Sequence, residues 1–180
     1  MPKGVCVLRS REIYRGRVIQ LKVDSIIEPG GVRAEREVVH HAGSVVILAH
    51  SDDGRIVLVR QYRYPVRESL WELTAGVMKP GERPLAAARR EFLEETGYRA
   101  RKWRLLFNFF PSPGIVTEKM FLVEAIGLTR SKPHPDPDER IEVGHFTPVQ
   151  LTKMIKSGRI HDGKTLVGLL WLLLSKSPGN

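Results

Sequence analysis

Between Tyr14 and His41 the apolar positions come in short, partly alternating runs. Val18-Ile19-Gln20-Leu21-Lys22-Val23-Asp24 is followed by the turn-forming Glu28-Pro29-Gly30-Gly31 and by an extended stretch from Arg33. A period of two predicts strands, here a small antiparallel meander. Such a piece cannot bury enough surface alone, so it must pack on the rest of the chain or on another copy. The pattern then changes. Val45-Val46-Ile47-Leu48-Ala49 is apolar without interruption, which suits a strand buried on both faces. Ser51-Asp52-Asp53-Gly54 turns the chain into a second strand, Arg55 to Arg60. Residues 1–41 are accordingly set apart as an N-terminal β subdomain, and 42–180 as the main domain.

Leu70 to Gly76 extends again, and from Pro84 the pattern becomes helical. Pro84 suits a first turn, Leu85-Ala86-Ala87-Ala88 propagates it, and Gly97 supplies the stop. Trp103–Phe110 and Lys119–Ala125 predict strands on either side of a Pro/Gly loop, Pro111 to Glu118. Ser131 to Arg140 is rich in proline and acid, has no hydrophobic period, and is read as a loop. Helices are predicted over Pro148–Lys156 and Asp162–Lys176. The second is apolar nearly all round, so its Leu and Trp residues are expected in the core.

Composition narrows the class. A chain of 180 residues with 42% hydrophobic content can form one well-packed domain with a small appendage. The single cysteine, Cys6, cannot make an internal disulfide, and no His/Cys cluster offers a zinc site. No signal-peptide core follows Met1, and the apolar run Leu166–Leu174 is too short to span a bilayer. A cytoplasmic location without membrane contact is expected. The net charge of +9 favours an anionic partner. Because the basic residues are dispersed and lack an RNA-binding aromatic motif, nucleic acid is not the expected one; a small phosphorylated substrate, or solubility alone, accounts for the charge. His134, His145 and His161 are read as loop or surface residues.

The chemistry gathers on the predicted helix after Pro84. Glu91 and Glu95 are four apart and Glu94 falls beside them, so carboxylates crowd one turn. Each such repulsion costs about a few tenths of a kcal/mol on an exposed helix, partly offset here by Arg89 and Arg90. The cluster is either a tolerated acidic run or a set of ligands for a hard divalent cation, which takes oxygen donors and shares them with substrate phosphates.

Gly76, five residues, Glu82, seven residues, then Arg90-Glu91-Phe92-Leu93-Glu94-Glu95-Thr96-Gly97-Tyr98 resembles the signature of the Nudix hydrolase family, with an aromatic residue at Tyr98 where an aliphatic one is usual. The resemblance implies an α/β/α sandwich with a mixed sheet, preceded by the small antiparallel β subdomain. It implies that Glu91, Glu94 and Glu95 ligate Mg²⁺ or Mn²⁺, with the carbonyl of Ala75 as a further ligand. Arg90 is expected to pair with Glu94 at i+4, and Glu82 to brace the loop. Gly76 and Gly81 let that loop turn tightly.

A narrower likeness follows. Arg60-Gln61-Tyr62-Arg63-Tyr64-Pro65 with Trp71-Glu72-Leu73-Thr74-Ala75-Gly76 is similar to the ADP-ribose pyrophosphatase branch of that family, with Thr74 where proline is usual. Ser112-Pro113-Gly114 followed by Glu118 matches the same branch; alone it would be an ordinary turn. On composition, Arg60 and Arg63 could equally be solvated surface residues. The resemblance implies that Arg63 contacts a diphosphate, and it points to Val77, Gly114, Glu118 and Arg36 as substrate-binding positions. It also implies a homodimer, and a glutamate from the acidic loop as catalytic base, Glu139 first and Glu142 second. The implied reaction is hydrolysis of ADP-ribose to AMP and ribose 5-phosphate. Hydrolysis of another nucleoside diphosphate derivative, or a non-catalytic ADP-ribose or RNA-binding module, are the alternatives. Degenerate binders tend to lose the carboxylates, which this chain keeps.

Overall fold

The computed structural model describes residues 4–131 and 140–175. They divide into a unit built on the residues up to Gly43 with Phe109–Lys119, and a second of Ser44–Asn108 with the residues from Met120 on. The first unit is an antiparallel sheet of β1 (Cys6–Arg15), β2 (Ile19–Ile27) and β3 (Arg33–His41), in that order. Gly30 and Gly31, at φ 88° and 82°, supply the left-handed backbone of the β2–β3 turn. β1 begins well before Tyr14 and is exposed along its length, which is why no clear alternation marks it. The Phe109–Lys119 segment joins this unit through its backbone: Val39 N donates to Ile115 O (2.8 Å) and Thr117 N to Val39 O (2.9 Å).

The second unit contains β4 (Ser44–His50), β5 (Ile56–Arg63), β6 (Glu68–Glu72), β7 (Thr74–Val77), α1 (Pro84–Thr96), β8 (Tyr98–Phe109), β9 (Met120–Arg130), β10 (Glu142–Phe146), α2 (Pro148–Lys156) and α3 (Gly163–Ser175). Its sheet runs β10-β5-β4-β9-β8, with β6 paired to β5 and β7 to β4. β4 pairs with β9 in parallel but with β5 and β7 antiparallel, so the sheet is mixed.

The uninterrupted apolar run of β4 is explained by the layers on either side. Val45, Ile47 and Ala49 pack with Ala87, Ala88 and Phe92 of α1. Residues one step along a strand point the other way, toward the layer of α3. There Gly168 lets the helix approach so closely that a Cβ would come within 2.5 Å of Leu73 and 3.2 Å of Leu122.

Three expectations need correction. β8 starts at Tyr98 instead of Trp103, because Tyr98 and Ala100 also pack against the α1 core. The extended stretch through Leu73 is two strands: Leu73 N leaves the ladder to donate to Thr165 Oγ1 at 2.9 Å. α3 is not core all round; Leu169 and Leu172 are buried while Leu170 and Leu174 are exposed. No helix among the described residues is long and apolar enough to cross a membrane.

Candidate active site

The loop from β7 into α1 is a tight turn with Pro80 and Gly81 at its centre. Glu82 N donates to Lys79 O (2.9 Å), and Gly81 has φ 74°, the pattern of a type II turn. Glu82 holds the turn a second time, since its Oε2 accepts from Lys79 N at 2.9 Å. α1 then starts on Pro84 and ends on Gly97, which is left-handed at φ 68° and donates to Leu93 O.

Arg90 is the hub of this turn. Its Nε and Nη2 fork onto Glu82 (3.1 and 2.8 Å), while Nη1 donates to Glu91 Oε1 (2.6 Å) and Glu94 Oε2 (3.1 Å). Nη2 also reaches the carbonyl of Val77 at 3.3 Å. The expected Arg90–Glu94 pair is therefore one contact of several, and Glu82 is the stronger partner. These carboxylates hold the Arg90 guanidinium in its charged form more firmly than usual, with Glu82 first, against the opposing effect of burial. Glu91 lies against Gly76, where a Cβ would collide with its carboxylate. Glu95 is buried at 6% exposure. Ala75 lies in β7 beside Gly76, paired with Val46 of β4.

Arg63 ends β5 and makes a fork with Glu72, Nε to Oε1 at 2.8 Å and Nη2 to Oε2 at 2.7 Å. Glu72 is 1% exposed and also accepts from Lys164 Nζ (2.5 Å), which bonds Asp162 at 2.9 Å. Asp162 in turn accepts from Thr165 N and Oγ1, at the start of α3. The Glu72 hydrogen bonds hold Arg63 in its charged form against burial, and the charges of Glu95 and Asp162 add to this. Arg63 thus lies within electrostatic reach of the carboxylate helix, with Nη1 not engaged by Glu72. Lys164, Asp162 and Thr165 were missed from the sequence. Glu72 alone carried a signal, as an acidic residue flanked by the apolar Trp71 and Leu73.

The other expected positions fall in different places. Arg36 is exposed on β3 and pairs with Glu28. Glu118 is paired with His41 at 3.3 Å in the same unit, and Gly114 faces open space. Glu139 lies outside the described residues, as does His134. Glu142 is on β10, exposed, 3.7 Å from Arg60 across the β5 pairing. His145 corrects the reading of the histidines as loop or surface residues. It is on β10, partly buried, with Nδ1 2.8 Å from Ser51 Oγ, and burial pushes its pKa down.

A model of the NUDIX domain matches residues 40–166. The chain belongs to the Nudix family. It is 36% identical over 172 residues to an ADP-ribose pyrophosphatase of Bacillus subtilis, covering 94% of this chain and 93% of that one. It is 37% identical over 151 residues to a GDP-mannose pyrophosphatase of Citrobacter koseri, 78% of each. A solved structure described as an ADP compounds hydrolase superposes with a TM-score of 0.84 over 97% of each chain, at 21% identity, and shares the fold. The chain is a Nudix hydrolase with pyrophosphatase relatives, and enzymes of this family generally use a divalent metal ion.

The donor chemistry on α1 fits such an ion. Glu91, Glu94 and Glu95 are hard oxygen donors on one helical turn, and Glu91 lies against Gly76, the residue after Ala75. As the side chains stand, no group of three acidic or histidine residues among the described ones is close enough to enclose a cation. Glu91 and Glu94 both accept from Arg90 Nη1.

Proposed function

We propose that this Nudix hydrolase cleaves the diphosphate of ADP-ribose, giving AMP and ribose 5-phosphate, with Mg²⁺ or Mn²⁺ held by Glu91, Glu94, Glu95 and the Ala75 carbonyl. The observation that carries the reading is the carboxylate turn of α1, gathered on Arg90 and braced by Glu82, together with Arg63 fixed in a fork by Glu72. The bound ion supplies neutralising charge to the diphosphate and makes a water molecule more acidic. Arg63 offers Nη1 to a phosphate oxygen and stabilises the charge that grows there as the P–O bond breaks. Arg90 keeps the carboxylates aimed and Glu82 keeps Arg90 in place. Glu139, with Glu142 as the alternative, takes the proton of the attacking water. Val77, Gly114 and Glu118 belong to the substrate-binding set, and Arg36 contributes to adenine recognition from the N-terminal sheet.

The protein acts as a cytoplasmic homodimer. Val7, Leu8, Ile13 and Tyr14 of β1 are exposed, and a second copy would cover them. Light scattering on the purified chain tests this; a monomer across the working concentration range removes it.

Another nucleoside diphosphate derivative is the second reading, favoured by the likeness to a GDP-mannose pyrophosphatase. A panel of ADP-ribose, GDP-mannose, dinucleotides and capped RNA, assayed with Mg²⁺ for phosphomonoester release, separates the two. Preference for ADP-ribose supports the first reading. Refusal of ADP-ribose with turnover of a nucleotide sugar replaces it.

A further inference from the structure

On the far side of α1 from the carboxylates the charge reverses. Arg89 precedes Glu91 by two residues, about 200° around the helix, and it lines a cavity of about 760 Å³ with Arg101, Lys102 and Trp103 of β8 and Ile126 of β9. A second cavity of about 210 Å³ shares Arg89, Arg101 and Trp103 with it and adds Leu93 and Arg99. The one carboxylate in the lining, Glu124, is committed to Arg104 at 3.0 Å and His50 at 3.3 Å. Arg89, Arg99, Arg101 and Lys102 make no ion pair or side-chain hydrogen bond with any other described residue. Arg101 is also given a slot. Its Nε lies 2.5 Å and its Nη2 3.0 Å from where a Cβ on Gly127 would be, so its guanidinium rests on the β9 backbone at a residue with φ 75°.

We infer that this groove binds a small oligophosphate anion, a chain of linked phosphates either free or carried by a nucleotide, at a site separate from the carboxylate turn. Cations crowded without counter-charges repel one another, and a multiply charged anion relieves that repulsion. Guanidinium forks match the geometry of phosphate oxygens. Trp103 and Ile126 give an apolar wall where a base can lie. The cavity has the size of a small-ligand site. Charged residues on an edge strand also deter strand association, but that role requires neither a cavity nor the slot at Gly127.

The test is calorimetric titration of the full chain with inorganic triphosphate and with ATP, in excess chelator, where the α1 carboxylates have no cation to attract a phosphate. Saturable binding is expected, weakened about tenfold or more by Arg89→Gln and again by Arg101→Gln, while hydrolysis with Mg²⁺ restored stays at the wild-type rate. Tighter binding of ATP than of triphosphate identifies a nucleotide as the ligand; equal affinities identify the phosphate chain alone. Absence of binding in chelator, or wild-type affinity in the double variant, overturns the inference. So does tighter binding of a single-stranded oligonucleotide with a salt dependence that grows with its length, which would make the groove a nucleic-acid track. None of these outcomes depends on which diphosphate the enzyme hydrolyses.

Discussion

Gly76 and Glu91 adjoin so closely that no methyl group fits between them: a Cβ on Gly76 would fall on the Glu91 carboxylate. The constraint is one of space. Gly76 is not in the left-handed region, whereas Gly81 in the same loop is. A strand backbone and a helical carboxylate are thereby held in contact, and Glu91 is one of the proposed metal ligands.

Gly76→Ala should therefore act through Glu91. Overpacking costs about 1–3 kcal/mol, so the melting temperature drops by a few degrees, while turnover falls about 10- to 100-fold as Glu91 is pushed aside. A double-mutant cycle checks the cause: Gly76→Ala should add little once Glu91→Gln is present. Additive losses would mean that Gly76 matters for another reason.

Arg90→Lys keeps the charge and removes the fork. A lysine presents one ammonium and cannot hold Glu82, Glu91 and Glu94 together as Arg90 does. The expected result is a fall in kcat of about 10-fold or more with a smaller change in KM. If steady-state kinetics show KM alone rising, Arg90 belongs to substrate binding and not to the alignment of the carboxylates.

Glu72→Gln tests the network behind Arg63. Glu72 is 1% exposed and carries both Arg63 and Lys164. Breaking a buried pair from one side costs about 3 kcal/mol, or roughly 6–12 °C in melting temperature for a chain of this size. Adding Lys164→Met should return part of that loss, because a cation without its counter-charge is removed with it. A double variant that melts at the sum of the two single losses would contradict the coupling.

Much of this organisation could be read in the residues before the coordinates. α1 announced itself through Pro84, the alanine run and Gly97, and β4 through an apolar stretch that only a strand covered on both faces would carry. The carboxylates and Arg90 were legible because their spacing lies within a single helix. What escaped was long-range. Nothing near Val39 shows that Ile115 and Thr117 will bond it, and nothing near Glu72 shows that Lys164 will reach it. The start of β8 was obscured because Arg99 and Arg101 break the apolar count, although Tyr98 and Ala100 between them face the core. The cationic groove was invisible for a similar reason: its members come from α1, β8 and β9.

Acidification should weaken the fold in two stages. Burial and the charge of Arg55 hold the His145 pKa below its ordinary value, so the unfolded chain takes the proton more readily. Its contribution is full above the ordinary imidazole pKa and is lost as pH falls from there toward the folded value. Burial alone would raise the Asp162 carboxyl, but Lys164 and the hydrogen bonds from Thr165 bring it below the usual range, and Arg90 does the same for Glu82. Those contributions are present above the ordinary carboxylate pKa and are lost at lower pH. His161, exposed and bonded to the Gly158 carbonyl and to Glu68, shifts upward and acts in the opposite sense, but solvent screens it. Melting temperatures between about pH 7 and 5 should fall less steeply for His145→Gln than for the wild type; parallel curves would assign the first stage to another group.

Glu95→Gln separates the metal from the fold. Glu95 is buried on the inner side of the carboxylate turn, and glutamine keeps its volume while removing the charge that a divalent cation requires. In chelator the variant should melt close to the wild type. With Mg²⁺ added, the wild type gains stability in proportion to the logarithm of ion concentration, because the ion binds only the folded chain. The variant should lose that gain, together with at least about 100-fold in kcat. The readouts fail differently. A Mg²⁺-dependent rise in melting temperature that survives in Glu95→Gln places the cation elsewhere, whereas loss of the rise with turnover intact keeps Glu95 as a ligand and removes it from the chemistry.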